Sequence, residues 1–135
     1  MRSSTPGTSA QRRATPEADI QRQIVAVLKL ILPKGAIVHH SANETRLGGR
    51  EGKIQQAILT GMGVHPGFAD LLILSEGRVL FLEVKSKTGS LSPAQEAFRD
   101  LVVAQGFAWA LVRSVDNLLA ALGAHGFRYK AIALQ

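Results

Sequence analysis

Cysteine is absent from the 135 residues. Neither disulfides nor thiolate metal sites can operate, and a reducing compartment is permitted without being required. A membrane span is also missing, because the longest apolar run, Ile24 to Leu32, is broken by Lys29 and is amphipathic. The opening residues carry arginines but no apolar h-region, so export is not expected and a cytoplasmic location is. No internal repeat appears. Acids are outnumbered, ten Asp+Glu against sixteen Lys+Arg, for a formal charge of +6 and a pI near 10.3. That balance favours a polyanionic partner such as nucleic acid, or an acidic membrane surface, and by itself names no function. With 46% hydrophobic residues the length suits one compact domain and is too short for two.

Residues 1–14 mix Ser, Thr, Gly and Pro with Arg2, Arg12 and Arg13 and hold no acid, which reads as a basic flexible tail before a single domain over 15–135. Thr15 is the expected N-cap of a helix, with Pro16 at its first position and Glu17 and Asp19 near the positive end of its dipole. Ile20, Ile24, Val27, Leu28 and Ile31 recur at helical spacing as its buried face, and Pro33 and Gly35 end it. A short strand is expected over 36–40. Residues 41–67 form a long, glycine-rich, weakly basic excursion containing Arg46, Arg50 and Lys53, with a short helix over 53–59. The apolar runs 69–74 and 79–86 flank Ser75-Glu76-Gly77-Arg78, a strong hairpin signal. Ser92-Pro93-Ala94-Gln95 is a capping box opening a helix that should bury Ala94, Phe98, Leu101 and Val102 and stop at Gly106. A strand over 107–112, a helix capped by Ser114 and an edge strand over 127–134 complete the reading. The order is that of an α/β protein with a mixed sheet, in which the helix after the hairpin is the crossover to a parallel strand.

The second hairpin strand poses a problem of charge. Phe81, Glu83 and Lys85 share one face of an otherwise apolar strand, and burying ions is costly unless they are paired or bind something. Taking residues 75–78 as the turn, Leu74 pairs with Val79, and counting back puts Asp70 opposite Glu83. Two carboxylates on adjacent strands can hold one hard divalent cation, and oxygen ligands with retained water suit magnesium; a lysine two residues on can orient an attacking water. Each residue also has a plainer reading: Glu17 as a helix N-terminal acid with Asp19 as its rival for any ligand role, Gln95 as a capping residue, Asp70 as the end of a turn, Glu83 and Lys85 as a structural ion pair. His39, His40 and His65 lack metal-ligand spacing and are assigned to core or loop.

At Gly67-Phe68-Ala69-Asp70 and Glu83-Val84-Lys85 the sequence resembles the PD-(D/E)XK nuclease superfamily. Within it the chain is most similar to the virus-type replication-repair nuclease (VRR-NUC) domains, through Glu17-Ala18-Asp19-Ile20-Gln21, the run Glu83 to Gln95, and Val112-Arg113-Ser114 before a final helix. The resemblance spans roughly residues 15–122. It implies a restriction-endonuclease-like αβββαβ core, a mixed sheet flanked by helices, and metal-dependent endonucleolytic hydrolysis of DNA that leaves a 5′ phosphate. Asp70 and Glu83 would bind Mg2+, with Mn2+ as a substitute, together with the Val84 backbone carbonyl and Glu17, the last directly or through water. Lys85 would contact the water or scissile phosphate, and Gln95 would help position Lys85 or the nucleophile. Ser86, Lys87, Arg113, Arg46, Arg50 and Lys53 are the expected DNA contacts, although surface solvation explains Ser86, Lys87 and Arg113 almost as well. The substrate suggested is branched or flapped DNA, handled by a homodimer, in a bacterial or phage-infected cell. The alternatives are a nuclease on ordinary duplex, which would need base-reading elements that are not evident, and a DNA-binding subunit without turnover. The family often has proline where this chain has Ala69, a change that removes a backbone restraint but no ligand.

Overall fold

The computed structural model describes residues 15–41 and 48–131. The tail over 1–14, Arg46 and the last four residues of the chain lie outside them. Helix α1, Pro16–Ile31, begins where Thr15 Oγ1 accepts from the Ala18 amide at 3.0 Å, with Pro16 in the first turn. Ile24, Leu28 and Ile31 are fully buried, while Ile20 and Val27 pack at the edge of the same cluster.

Strand β1, Ile37–His40, leads to helix α2, Gly49–Gly61, which is longer than the 53–59 segment predicted. Gly48 takes the N-cap position, and the stretch Lys53-Ile54-Gln55-Gln56-Ala57-Ile58-Leu59 is rich in helix formers. It makes no close backbone approach to any other helix or strand among the described residues. Ile54, Ile58 and Met62, spaced by four, stay at least half exposed.

Strands β2, Leu71–Ser75, and β3, Arg78–Val84, form the hairpin, with Leu74 opposite Val79 as the sequence indicates. Its two-residue turn places Glu76 and Gly77 at φ 52° and 81°, the twist-matched geometry of a tight hairpin. Arg128 holds the Glu76 carboxyl below its ordinary range by a hydrogen bond, chaining the turn to the segment after the last helix. Helix α3, Pro93–Ala104, crosses over to β4, Ala108–Val112, which runs parallel to β3, and helix α4, Val115–Ala124, follows. The sheet order is β1-β2-β3-β4, with the first two pairings antiparallel.

Alternation along β3 divides the protein into two cores. Leu80, Leu82 and Val84 join the buried cluster under α1 and α4, whereas Phe81 joins Phe68, Phe98 and Trp109 on the α3 side. The Phe68 and Phe98 rings lie 4.7 Å apart between centroids, and Phe81 meets Phe98 edge-on at 5.7 Å.

Two expectations are corrected. Ala94 is exposed and Leu101 is 49% exposed, because α3 buries a narrow stripe made by Phe98 and Val102. Residues 127–131 form no strand: Phe127 plugs the larger core, and the Lys130 amide donates to the Ile31 carbonyl at 2.9 Å, satisfying an orphan acceptor at the end of α1. The rest of the expected edge strand lies outside the described residues.

Candidate active site

The site is assembled where β2 and β3 end. Asp70 immediately precedes β2, and its backbone carbonyl accepts from the Ser41 amide, continuing the ladder to β1. The register of the hairpin sets Asp70 across from Glu83. Its Oδ2 accepts from the Val84 amide at 2.8 Å, so the carboxylate caps the strand pair at the residue between Glu83 and Lys85.

Glu83 is 1% exposed, the one acidic side chain buried with the core among the described residues. Its Oε2 accepts from Gln95 Nε2 at 3.0 Å and lies 3.9 Å from Lys85 Nζ. Gln95 performs two tasks at once. Its Oε1 accepts from the Ser92 amide while Ser92 Oγ accepts from the Gln95 amide, so the capping box that starts α3 also aims the Gln95 amide group at Glu83.

Lys85 begins a tight turn. Its amide donates to the Val112 carbonyl at 3.0 Å, which carries the β3–β4 pairing one residue past the strand. Gly89 then folds back, its amide donating to Ser86 Oγ at 3.1 Å. A methyl group at Gly89 would fall 2.9 Å from Glu17 Oε2, 3.1 Å from Ser86 Oγ and 3.5 Å from Lys85 Cδ. Glu17 from α1 and the stem of Lys85 therefore meet over this glycine, which leaves the room they need.

Glu17, Asp70, Glu83, Lys85 and Gln95, drawn from α1, from β3 and the residues flanking the hairpin, and from α3, are thus brought to one end of the sheet. The expected DNA contacts are not gathered in the same way. Lys87 is exposed on the turn, Ser86 is half-buried and bonded to Gly89, and Arg50 and Lys53 stand on α2, apart from the other elements. Arg113 donates into the turn itself.

Two features escaped the sequence. His40 lines a depression of about 430 Å³ together with Thr15, Glu17, Gln21, Arg22 and Asp70. It is there because β1 pairs His40 with Leu71, next to Asp70, and no local pattern foretells that register. The second is the close approach of the turn before Asp70 to α3, at Gly67.

Among the described residues, no three His, Cys, Asp or Glu side chains are grouped as a ready-made metal cage. The donors present nevertheless fit a hard cation, since Asp70, Glu83 and Glu17 offer only carboxylate oxygen. Magnesium commonly uses one or two carboxylates and completes its shell with water and phosphate oxygens.

A buried carboxylate kept for binding costs stability, and this can be measured. Glu83→Gln keeps the shape and an acceptor for Gln95 but removes a charge facing Asp70. In metal-free buffer it is expected to stabilise the fold by about 1 kcal/mol, raising Tm by roughly 4 °C. A fall of several degrees would make Glu83 and Lys85 a structural pair, for which loss of one partner costs about 3 kcal/mol or more.

A mixed four-stranded sheet with a crossover helix defines an α/β architecture that solved structures share. The chain is similar to a "VRR_NUC domain protein", with 21% identity, a TM-score of 0.63 and coverage of 83% of this chain and 88% of that one. It is also similar to a "VRR_NUC domain", with 22% identity, a TM-score of 0.51 and coverage of 84% and 100%. No family model and no curated protein matches the chain. The protein has the VRR_NUC fold.

Proposed function

We propose that this protein is a metal-dependent DNA endonuclease acting on branched or flapped DNA. The observation that carries the reading is the Glu83 carboxylate, buried to 1% exposure, with Asp70 across from it, Lys85 and Gln95 beside it and Glu17 at the turn that follows. Asp70 and Glu83, with the Val84 carbonyl and Glu17, would hold the cation, Mg2+ or Mn2+, whose chemistry there is Lewis-acid polarisation of the phosphodiester. Lys85 orients the attacking water or the scissile phosphate. Gln95 fixes one oxygen of Glu83 and leaves the carboxylate a single orientation. Water adds to phosphorus, the bond to the 3′ oxygen breaks, and the products are a 3′ hydroxyl and a 5′ phosphate.

The formal charge of +6 supports a nucleic-acid partner. A homodimer would give a two-fold junction one site for each of two strands, a symmetry argument to be checked by measuring the mass in solution. The function is tested by incubating four-way junction, flap, single strand and linear duplex with Mg2+, Mn2+ or EDTA. Cutting of the branched substrates in either metal and none in EDTA is expected. Preference for linear duplex would overturn the structural selectivity, and binding without cutting in any metal would make the protein a DNA-binding subunit.

A further inference from the structure

Arg113 follows the last residue of β4 and precedes Ser114, the N-cap of α4. Its backbone is pinned on the helix side, the amide donating to Asn117 Oδ1 at 2.9 Å while the Asn117 amide donates to Ser114 Oγ at 3.1 Å. The guanidinium reaches the opposite way, into the turn after β3. Its Nη1 donates to the carbonyls of Ser86 at 2.5 Å and Gly89 at 2.7 Å, with that of Lys87 farther off at 3.4 Å.

Three carbonyls converging on one cationic nitrogen is an arrangement a tight turn does not adopt alone, since aligned carbonyl dipoles repel and need a donor between them. The outer side of the same turn holds the chemistry, with Gly89 against Glu17 and the Lys85 stem. Charge-assisted bonds of this kind are the strong ones, and an Nη1 occupied by carbonyls in a part-buried setting leaves only the Nε–Nη2 edge of the guanidinium for other partners.

We propose that Arg113 is a positioning residue: it clamps the 86–89 turn from inside so that Lys85 and Glu17 are held in register. This role differs from the DNA contact expected from the sequence, and it rests on the nuclease reading for its catalytic part.

The test compares wild type with Arg113→Lys, which keeps the charge but loses the planar fork, and Arg113→Gln, which keeps a donor but loses the charge. Amide hydrogen exchange is followed in the free protein, alongside cleavage kinetics and junction binding across a salt series. The clamp requires faster exchange at Gly89, about tenfold or more, with the Leu82 amide in the core strand unchanged. It also requires kcat to fall about 10²-fold at nearly constant KM, the scale expected when a catalytic group is misplaced by about 1 Å. The salt dependence of binding should be the same for all three proteins.

Unchanged exchange at Gly89 with a salt slope reduced by about 1 would make Arg113 a phosphate contact and overturn the proposal. Faster exchange without loss of kcat would overturn its catalytic half, because the turn would then be held to no purpose. A wild type that cuts nothing defeats the nuclease reading, and with it that half, whereas exchange in the free protein still decides whether Arg113 holds the turn.

Discussion

Lys85→Ala is expected to slow metal-dependent cleavage by about 10³-fold while leaving DNA affinity within a factor of a few. The magnitude is that of removing one group that orients a nucleophile or stabilises developing charge on phosphate. The asymmetry follows from where the side chain lies. Lys85 is 12% exposed, its ammonium is 3.9 Å from Glu83 Oε2 and its stem runs beside Gly89, so it contributes little to the surface that first meets DNA. Lys85→Arg should not restore the rate, because a planar fork cannot replace a compact ammonium in that space. Single-turnover cleavage and equilibrium binding on one junction decide the matter. Equal losses in both would demote Lys85 to a phosphate contact, and an unchanged rate would return it to a structural partner of Glu83.

The parts of this site legible in the sequence are those whose geometry is fixed locally. Two turn residues between apolar runs set the hairpin register, and once Leu74 faces Val79 the placement of Asp70 across from Glu83 is arithmetic. The box from Ser92 to Gln95 is equally local, and α3 starts where it indicates. Alternation along β3 likewise separates Phe81 from Leu80, Leu82 and Val84, a division the two cores reproduce.

What the sequence does not disclose depends on contacts far apart in the chain. Arg113 bonds carbonyls 24 to 27 positions away, and nothing around it distinguishes an arginine that will meet phosphate from one that will meet backbone. His40 reaches the depression at Asp70 only through the pairing of β1 with β2, strands separated by a long excursion. The final segment misleads for the opposite reason: Phe127-Arg128-Tyr129-Lys130 alternates like a strand, yet Phe127 is a core plug and the Lys130 amide serves a helix end. In the same way Leu101 has helical periodicity with Phe98, but α3 offers the sheet a stripe too narrow to cover it.

The contact that orders these parts relative to one another is the approach of Gly67 to α3, and it carries the largest expected loss of stability. Gly67 sits at φ +75°, and a methyl group there would fall 2.2 Å from the Ala94 carbonyl oxygen, 2.4 Å from its carbon and 2.8 Å from the Gln95 amide nitrogen. All three are backbone atoms in the first turn of α3, so no side-chain rotation relieves the overlap. Gly67→Ala therefore combines left-handed strain of about 1–2 kcal/mol with steric displacement of about 1–3 kcal/mol, a total on the order of 3–4 kcal/mol. At roughly 4 °C per kcal/mol, Tm should fall by more than about 10 °C. Gly35→Ala isolates the first component, because Gly35 has a similar φ of +95° and open space around its missing side chain. That variant should lose only the strain, a few degrees. If the two alanine variants melt together, the close approach contributes nothing. If Gly67→Ala melts far lower, its residual cleavage well below Tm should also drop, since the helix turn that must yield is the one that aims Gln95 at Glu83.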